Sequence, residues 1–139
     1  MWLMLILQCI IGLQSQSIYF TNAFAQADIP SGEPVFVELP RDFKSDRGQH
    51  DVVLKLKKSL YGKAKAARLW YENLRNALLE RSFVMSKVDP CLFMSKTVIF
   101  VVYVDDCLFW SRSKSEIENV IKSLKGDGPS YNWEHSKGE

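Results

Sequence analysis

The spacing of apolar and polar positions changes period several times along this chain, and each change marks an element. Met1 to Leu13 holds eleven apolar residues in thirteen. A segment apolar on all sides predicts a buried helix docked on a sheet. Ser17 to Phe24, rich in β-branched and aromatic residues, predicts a strand. Asp28 to Gly32 is a turn cluster, and Glu33 to Leu39 alternates around Val35, Val37 and Leu39 as a half-buried strand does. Pro40 to His50 is polar and predicts a loop; Asp51 to Leu56 predicts another strand. Ser59 to Gly62 turns into the clearest helix, Ala64 to Arg81, where Trp70, Leu74, Ala77 and Leu78 recur at spacings of three and four.

Beyond the Asp89-Pro90 break, Cys91 to Met94 predicts a short strand and Thr97 to Trp110 a long apolar stretch. Ser115 to Lys125 predicts an amphipathic helix with Ile117, Val120, Ile121 and Leu124 on one face, Ser115 and Glu118 as a capping box, and Gly126 at its stop. The tail after Gly128 shows no period. Strands and helices mix without strict alternation, so the expected class is α+β.

Composition narrows this modestly. The chain has 139 residues, 47% hydrophobic and 24% charged, which suits one globular domain and excludes intrinsic disorder. Its net charge of +2 says little about partners, but the distribution says more. Residues 52–71 carry six cations, Lys55, Lys57, Lys58, Lys63, Lys65 and Arg68, and no anion. Such a stretch can hold phosphates, or it can be a solvated basic face.

Three cysteines without a CxxC pair, and two distant histidines, argue against a zinc site or a disulfide framework and fit a reducing compartment. The apolar start is too short to span a bilayer. A secretory signal would need a positive leading region, and the first cation is Arg41. A small secreted protein using residues 1–13 as its signal stands as an alternative, decided by whether that segment is cleaved.

The segment from Val98 to Trp110 holds eleven apolar residues, interrupted only by adjacent Asp105 and Asp106. Two charges inside a plain buried strand would be costly, so the simplest arrangement is a β-hairpin with the aspartates at its tip. There they are either an ordinary Asp-Asp turn or a site for divalent cations such as Mg²⁺.

Tyr103-Val-Asp-Asp106 between apolar strands resembles the YVDD box of reverse transcriptases. KLKKSLYG (55–62), AARLWYENL (66–74), KVDPCLFM (87–94), NAFAQADIP (22–30) and VFVELPRDF (35–43) resemble, in the same order, the polymerase blocks of copia-type LTR retrotransposons. The resemblance implies the palm of a polymerase, a ferredoxin-like antiparallel sheet backed by helices, with remnants of the fingers and with the thumb and RNase H domain absent. It implies RNA-directed DNA synthesis by two Mg²⁺ ions, on an RNA or DNA template-primer with deoxynucleotides, inside the cell in the cytoplasm or a virus-like particle, and no membrane. Asp105 and Asp106 match the metal-binding pair, Phe24 the aromatic under the incoming sugar, and Tyr61 and Gly62 the turn against nucleotide and template. The cations from Lys55 to Arg68 would then lie near backbone phosphates.

The sequence departs from the family pattern at two places. The third metal-binding aspartate, five residues before the aromatic, is Tyr19 here, and Asp28 lies nine residues further on. After Tyr61-Gly62 the family reads Leu-Lys-Gln-Ala-Pro, whereas this chain reads Lys63-Ala-Lys-Ala-Ala67. The expectation is a truncated, catalytically inactive polymerase fragment, with a non-catalytic nucleic-acid-binding remnant as the alternative.

Overall fold

The computed structural model describes residues 2–40, 52–126 and 133–135. The expected polar loop at 41–50, and the tail beyond 126 apart from 133–135, lie outside the described residues. In chain order the elements are α1 (Trp2–Ile11), β1 (Gln14–Phe20), α2 (Ala23–Gln26), β2 (Phe36–Glu38), β3 (Val53–Lys55), α3 (Ala66–Glu80), β4 (Val84–Met85), β5 (Leu92–Met94), β6 (Val98–Tyr103), β7 (Asp106–Ser111), α4 (Lys114–Gly126) and β8 (Trp133–His135). Six strands form one sheet in the order β4-β5-β6-β7-β1-β8, and β2 pairs with β3 in a second, two-stranded sheet. Every pairing is antiparallel. The mixed helix and antiparallel-sheet class read from the sequence therefore holds.

One face of the large sheet makes the core. Ile18 and Phe20 of β1, Phe93 of β5, Val98, Phe100 and Val102 of β6, and Cys107 and Phe109 of β7 are all buried there. Trp70, Leu74, Ala77 and Leu78 of α3, and Ile117, Ile121 and Leu124 of α4, close over them. These are the helical positions whose three-and-four spacing marked an apolar stripe. Tilted rings pack at the centre, with Phe100 4.7 Å from Phe109 and 6.1 Å from Phe93 between ring centroids.

Three expectations need correction. The strand expected from Ser17 to Phe24 starts at Gln14 and stops at Phe20. Its last amide donates to the Asp105 carbonyl, 3.0 Å away, and Asn22 then takes a left-handed conformation (φ 52°) that turns the chain into α2. The helix expected to be buried at the N-terminus is a helix but is not buried: Leu5, Ile6, Ile10 and Ile11 are exposed, Ile10 at 72%. Its C-terminal end is tied down. Gln8 Oε1 accepts from the Trp110 indole at 3.0 Å, Gly12 (φ 67°) ends the helix as a glycine can, and Leu13 is buried. The last helix starts at Lys114, so Ser115 lies inside its first turn and is not the cap. Ser111, Ser113 and Glu116 organise that start, the Ser111 hydroxyl donating to Glu116 at 3.0 Å.

Candidate active site at the hairpin tip

The apolar run from Val98 to Trp110 folds as the hairpin β6–β7. Tyr103 pairs with Asp106 across a two-residue loop of Val104 and Asp105. Val104 has φ 58°, a conformation that favours glycine or asparagine and strains a β-branched residue. The strain is held from the helix side. The Trp70 indole donates to the Val104 carbonyl at 2.6 Å, while its ring is buried against Phe20 at a centroid distance of 5.1 Å. Trp70 thus anchors the tip as well as filling the core, a second duty that helical spacing does not reveal. A buried indole N–H needs an acceptor, which is the one signal the sequence carried.

Strand β1 holds the other side. Its register with β7 places Tyr19 directly opposite Asp106, and Ile18 opposite Cys107. Paired residues share a sheet face. Ile18, Cys107 and Val102 therefore point to the core, and Tyr19, Asp106 and Tyr103 to the opposite face. Asp105 is half-buried and Asp106 exposed. The Asp105 carboxylate, through hydrogen bonding and then its charge, holds the Tyr19 phenol above its ordinary value. Behind the tip, burial and then the charges of Asp106 and Asp105 push the Cys107 thiol well up, so it is an apolar core group and not a nucleophile.

A second group assembles beside this corner. The rings of Phe24 and Tyr61 lie 4.5 Å apart. Backbone bonds clip the Ser59–Gly62 turn to the segment after α2: Ser59 N–H to Ala27 at 2.9 Å and Ile29 N–H to Lys57 at 3.2 Å. Gly62 sits at φ 83° and lets Tyr61 stand out, half exposed.

The cations are less free than their sequence suggests. Lys58 pairs with Asp28 at 2.9 Å, Lys65 with Glu33 at 2.6 Å and Arg68 with Glu72 at 2.7 Å. The hydrogen bond and charge of Lys65 hold the Glu33 carboxyl below its ordinary value. Among the described residues no ion pair involves Lys55, Lys57 or Lys63, and all three are exposed. Asp28 and Glu33 are brought to the stretch only by folding, whereas Glu72 lies four residues on from Arg68 on the same helix.

The site is thus a hairpin of apolar strands with adjacent aspartates at its tip and Tyr19 set opposite Asp106. The family model described as "Reverse transcriptase (RNA-dependent DNA polymerase)" matches residues 3–128. The chain belongs to this reverse transcriptase family. It is 36% identical over 107 residues to the Retrovirus-related Pol polyprotein from transposon RE1 of Arabidopsis thaliana, covering 74% of this chain and 7% of that protein. It is 30% identical over 120 residues to the Retrovirus-related Pol polyprotein from transposon TNT 1-94 of Nicotiana tabacum, covering 83% and 8%. To the Transposon Ty1-NL2 Gag-Pol polyprotein of Saccharomyces cerevisiae it is 30% identical over 107 residues, covering 76% and 6%. The chain thus spans less than a tenth of the length of these curated relatives. No solved structure matches it.

Reverse transcriptases use divalent metal ions, which raises the question of whether these donors suit them. A hard cation takes carboxylate and other oxygen donors, and a protonated phenol is a poor one. Here the two adjacent carboxylates face a tyrosine, set in register with Asp106 on the neighbouring strand. Among the described residues no three His, Cys, Asp or Glu side chains come together to hold a metal. The residues present do not fit a two-ion site. Among the described residues no helix is long and apolar enough to cross a membrane.

Proposed function

We propose that this chain is palm sequence of a retrotransposon reverse transcriptase that engages a template-primer without extending it. The large sheet with α3 and α4 behind it corresponds to the palm, and the β2–β3 pair to the base of the fingers. The observation that carries the reading is Tyr19 placed in register with Asp106, one of the two adjacent tip acids. In this reading Asp105 and Asp106 are the polymerase acid pair, Tyr19 occupies the corner of the third acid, and the two-ion reaction of the family cannot assemble. Phe24 and Tyr61 with Gly62 form the surface that an incoming nucleotide would meet. Lys55, Lys57 and Lys63 supply sequence-independent attraction to backbone phosphates. The compartment is intracellular, in keeping with the three free cysteines.

Losing one acidic ligand of three lowers turnover by orders of magnitude. Primer extension on RNA and DNA templates, with Mg²⁺ or Mn²⁺, is therefore expected to give no templated product. Retention of an RNA–DNA hybrid should persist and weaken steeply with salt. Robust synthesis by this chain would overturn the inactive reading; salt-insensitive or absent binding would overturn the nucleic-acid reading.

A further inference from the structure

We infer that the cavity behind the hairpin tip is a binding site for a small, uncharged, apolar molecule the size of one aromatic ring. The cavity holds about 160 Å³ and is lined by Ala67, Trp70, Tyr71, Cys91, Val102 and Val104. Its floor is fixed: Trp70 and Val102 are buried, and the Val102 amide donates to the Cys91 carbonyl at 3.0 Å. Ala67 on α3 and Val104 on the turn are exposed and form its rim. Apolar cavities of about 150 Å³ in other proteins take up benzene. The chemistry of these walls selects the same class. The Trp70 indole N–H is spent on the Val104 carbonyl at 2.6 Å, and the Tyr71 hydroxyl on the Pro90 carbonyl at 2.7 Å. The remaining polar side chain of the lining is the Cys91 thiol, a weak donor whose ionisation is opposed by burial and then by the charge of Asp89. A charged or strongly polar ligand would lose its hydration there without partners, whereas an aromatic hydrocarbon meets two ring walls. Val104, strained at φ 58°, is part of the lining, so an occupant packs directly beneath the turn that carries Asp105.

Benzene is the probe, added to the whole chain without template or nucleotide. Trp70 and Cys91 line the cavity and report from inside it. Trp110, bonded to Gln8 at the far end of the hairpin, and Cys9, exposed on α1, report from outside. In nitrogen-resolved NMR spectra benzene is expected to shift the Trp70 indole signal saturably and to leave that of Trp110 in place. Alkylation by iodoacetamide, read residue by residue by mass spectrometry, should slow at Cys91 at least about threefold once benzene exceeds twice its dissociation constant, and stay unchanged at Cys9. Pyridine, alike in shape but carrying an acceptor that the walls leave unmatched, should protect Cys91 less than about a tenth as well. Ala67→Phe, which sets a ring at the rim, should abolish both responses to benzene. Unslowed alkylation at Cys91, equal slowing at Cys9, or a Trp110 shift as large as that of Trp70 would overturn the site, as would an Ala67→Phe protein that responds like its parent. Pyridine as effective as benzene would overturn the apolar assignment. Should Ala67→Phe fail to fold, the paired reporters in the unchanged protein still decide.

Discussion

Trp70 and Val104 show how one side chain can serve both core and site. Val104 sits at φ 58°, where a branched side chain is strained, and its carbonyl is the acceptor for the Trp70 indole. Trp70→Phe preserves an aromatic ring beside Phe20 but leaves that carbonyl without its buried donor. The expected loss is about 1–2 kcal/mol of stability by chemical denaturation. Tyr71, one residue on, behaves differently. Its hydroxyl donates to the Pro90 carbonyl at 2.7 Å, and burial raises its phenol above the ordinary value. Helical spacing marks Trp70 as core, which it is, and Tyr71 packs partly buried against the same core; the hydrogen bonds at the ends of both rings depend on loops distant in sequence.

At the scale of elements, the segment from β3 to the start of α3 shows charge read in one dimension and rearranged in three. All six cations fall within twenty residues, yet Lys58, Lys65 and Arg68 are matched by Asp28, Glu33 and Glu72. Lys55, Lys57 and Lys63, which form no ion pair among the described residues, should dominate any attraction to phosphate. Replacing Lys55, Lys57 and Lys63 together by Gln is expected to flatten the dependence of log affinity on log salt by about two units for an RNA–DNA hybrid. The same change at Lys58, Lys65 and Arg68 should flatten it by less than half as much. Filter binding across a salt series compares the two sets directly. The hairpin, by contrast, was legible element by element. Alternation and an unbroken apolar run fix β6 and β7, and two charges can escape the core only at the turn. The start of α4 was not, because Ser113 and Ser115 both precede a glutamate by three, and only the packed helix selects between them.

For the molecule as a whole, the main departure from expectation is α1. Its sequence demands burial, yet four of its large apolar residues face outward, while Gln8 bonds Trp110 and Leu13 is buried at its end. A patch of this kind favours association. Ile6→Lys with Ile10→Lys should shift stability by no more than about 0.5 kcal/mol, since both are surface positions. The same pair should reduce concentration-dependent self-association in sedimentation velocity. What the sequence alone determined is the family, the α+β class, the hairpin and its acid pair, because these rest on local periodicity and on residues adjacent in the chain. What only the tertiary structure decided is the company those residues keep: Tyr19 laid against Asp106 from a strand more than eighty positions away, Trp70 beneath the tip, and acids from a distant segment set against Lys58 and Lys65. Strand register and long-range packing are set by the whole core at once, and no local pattern encodes them.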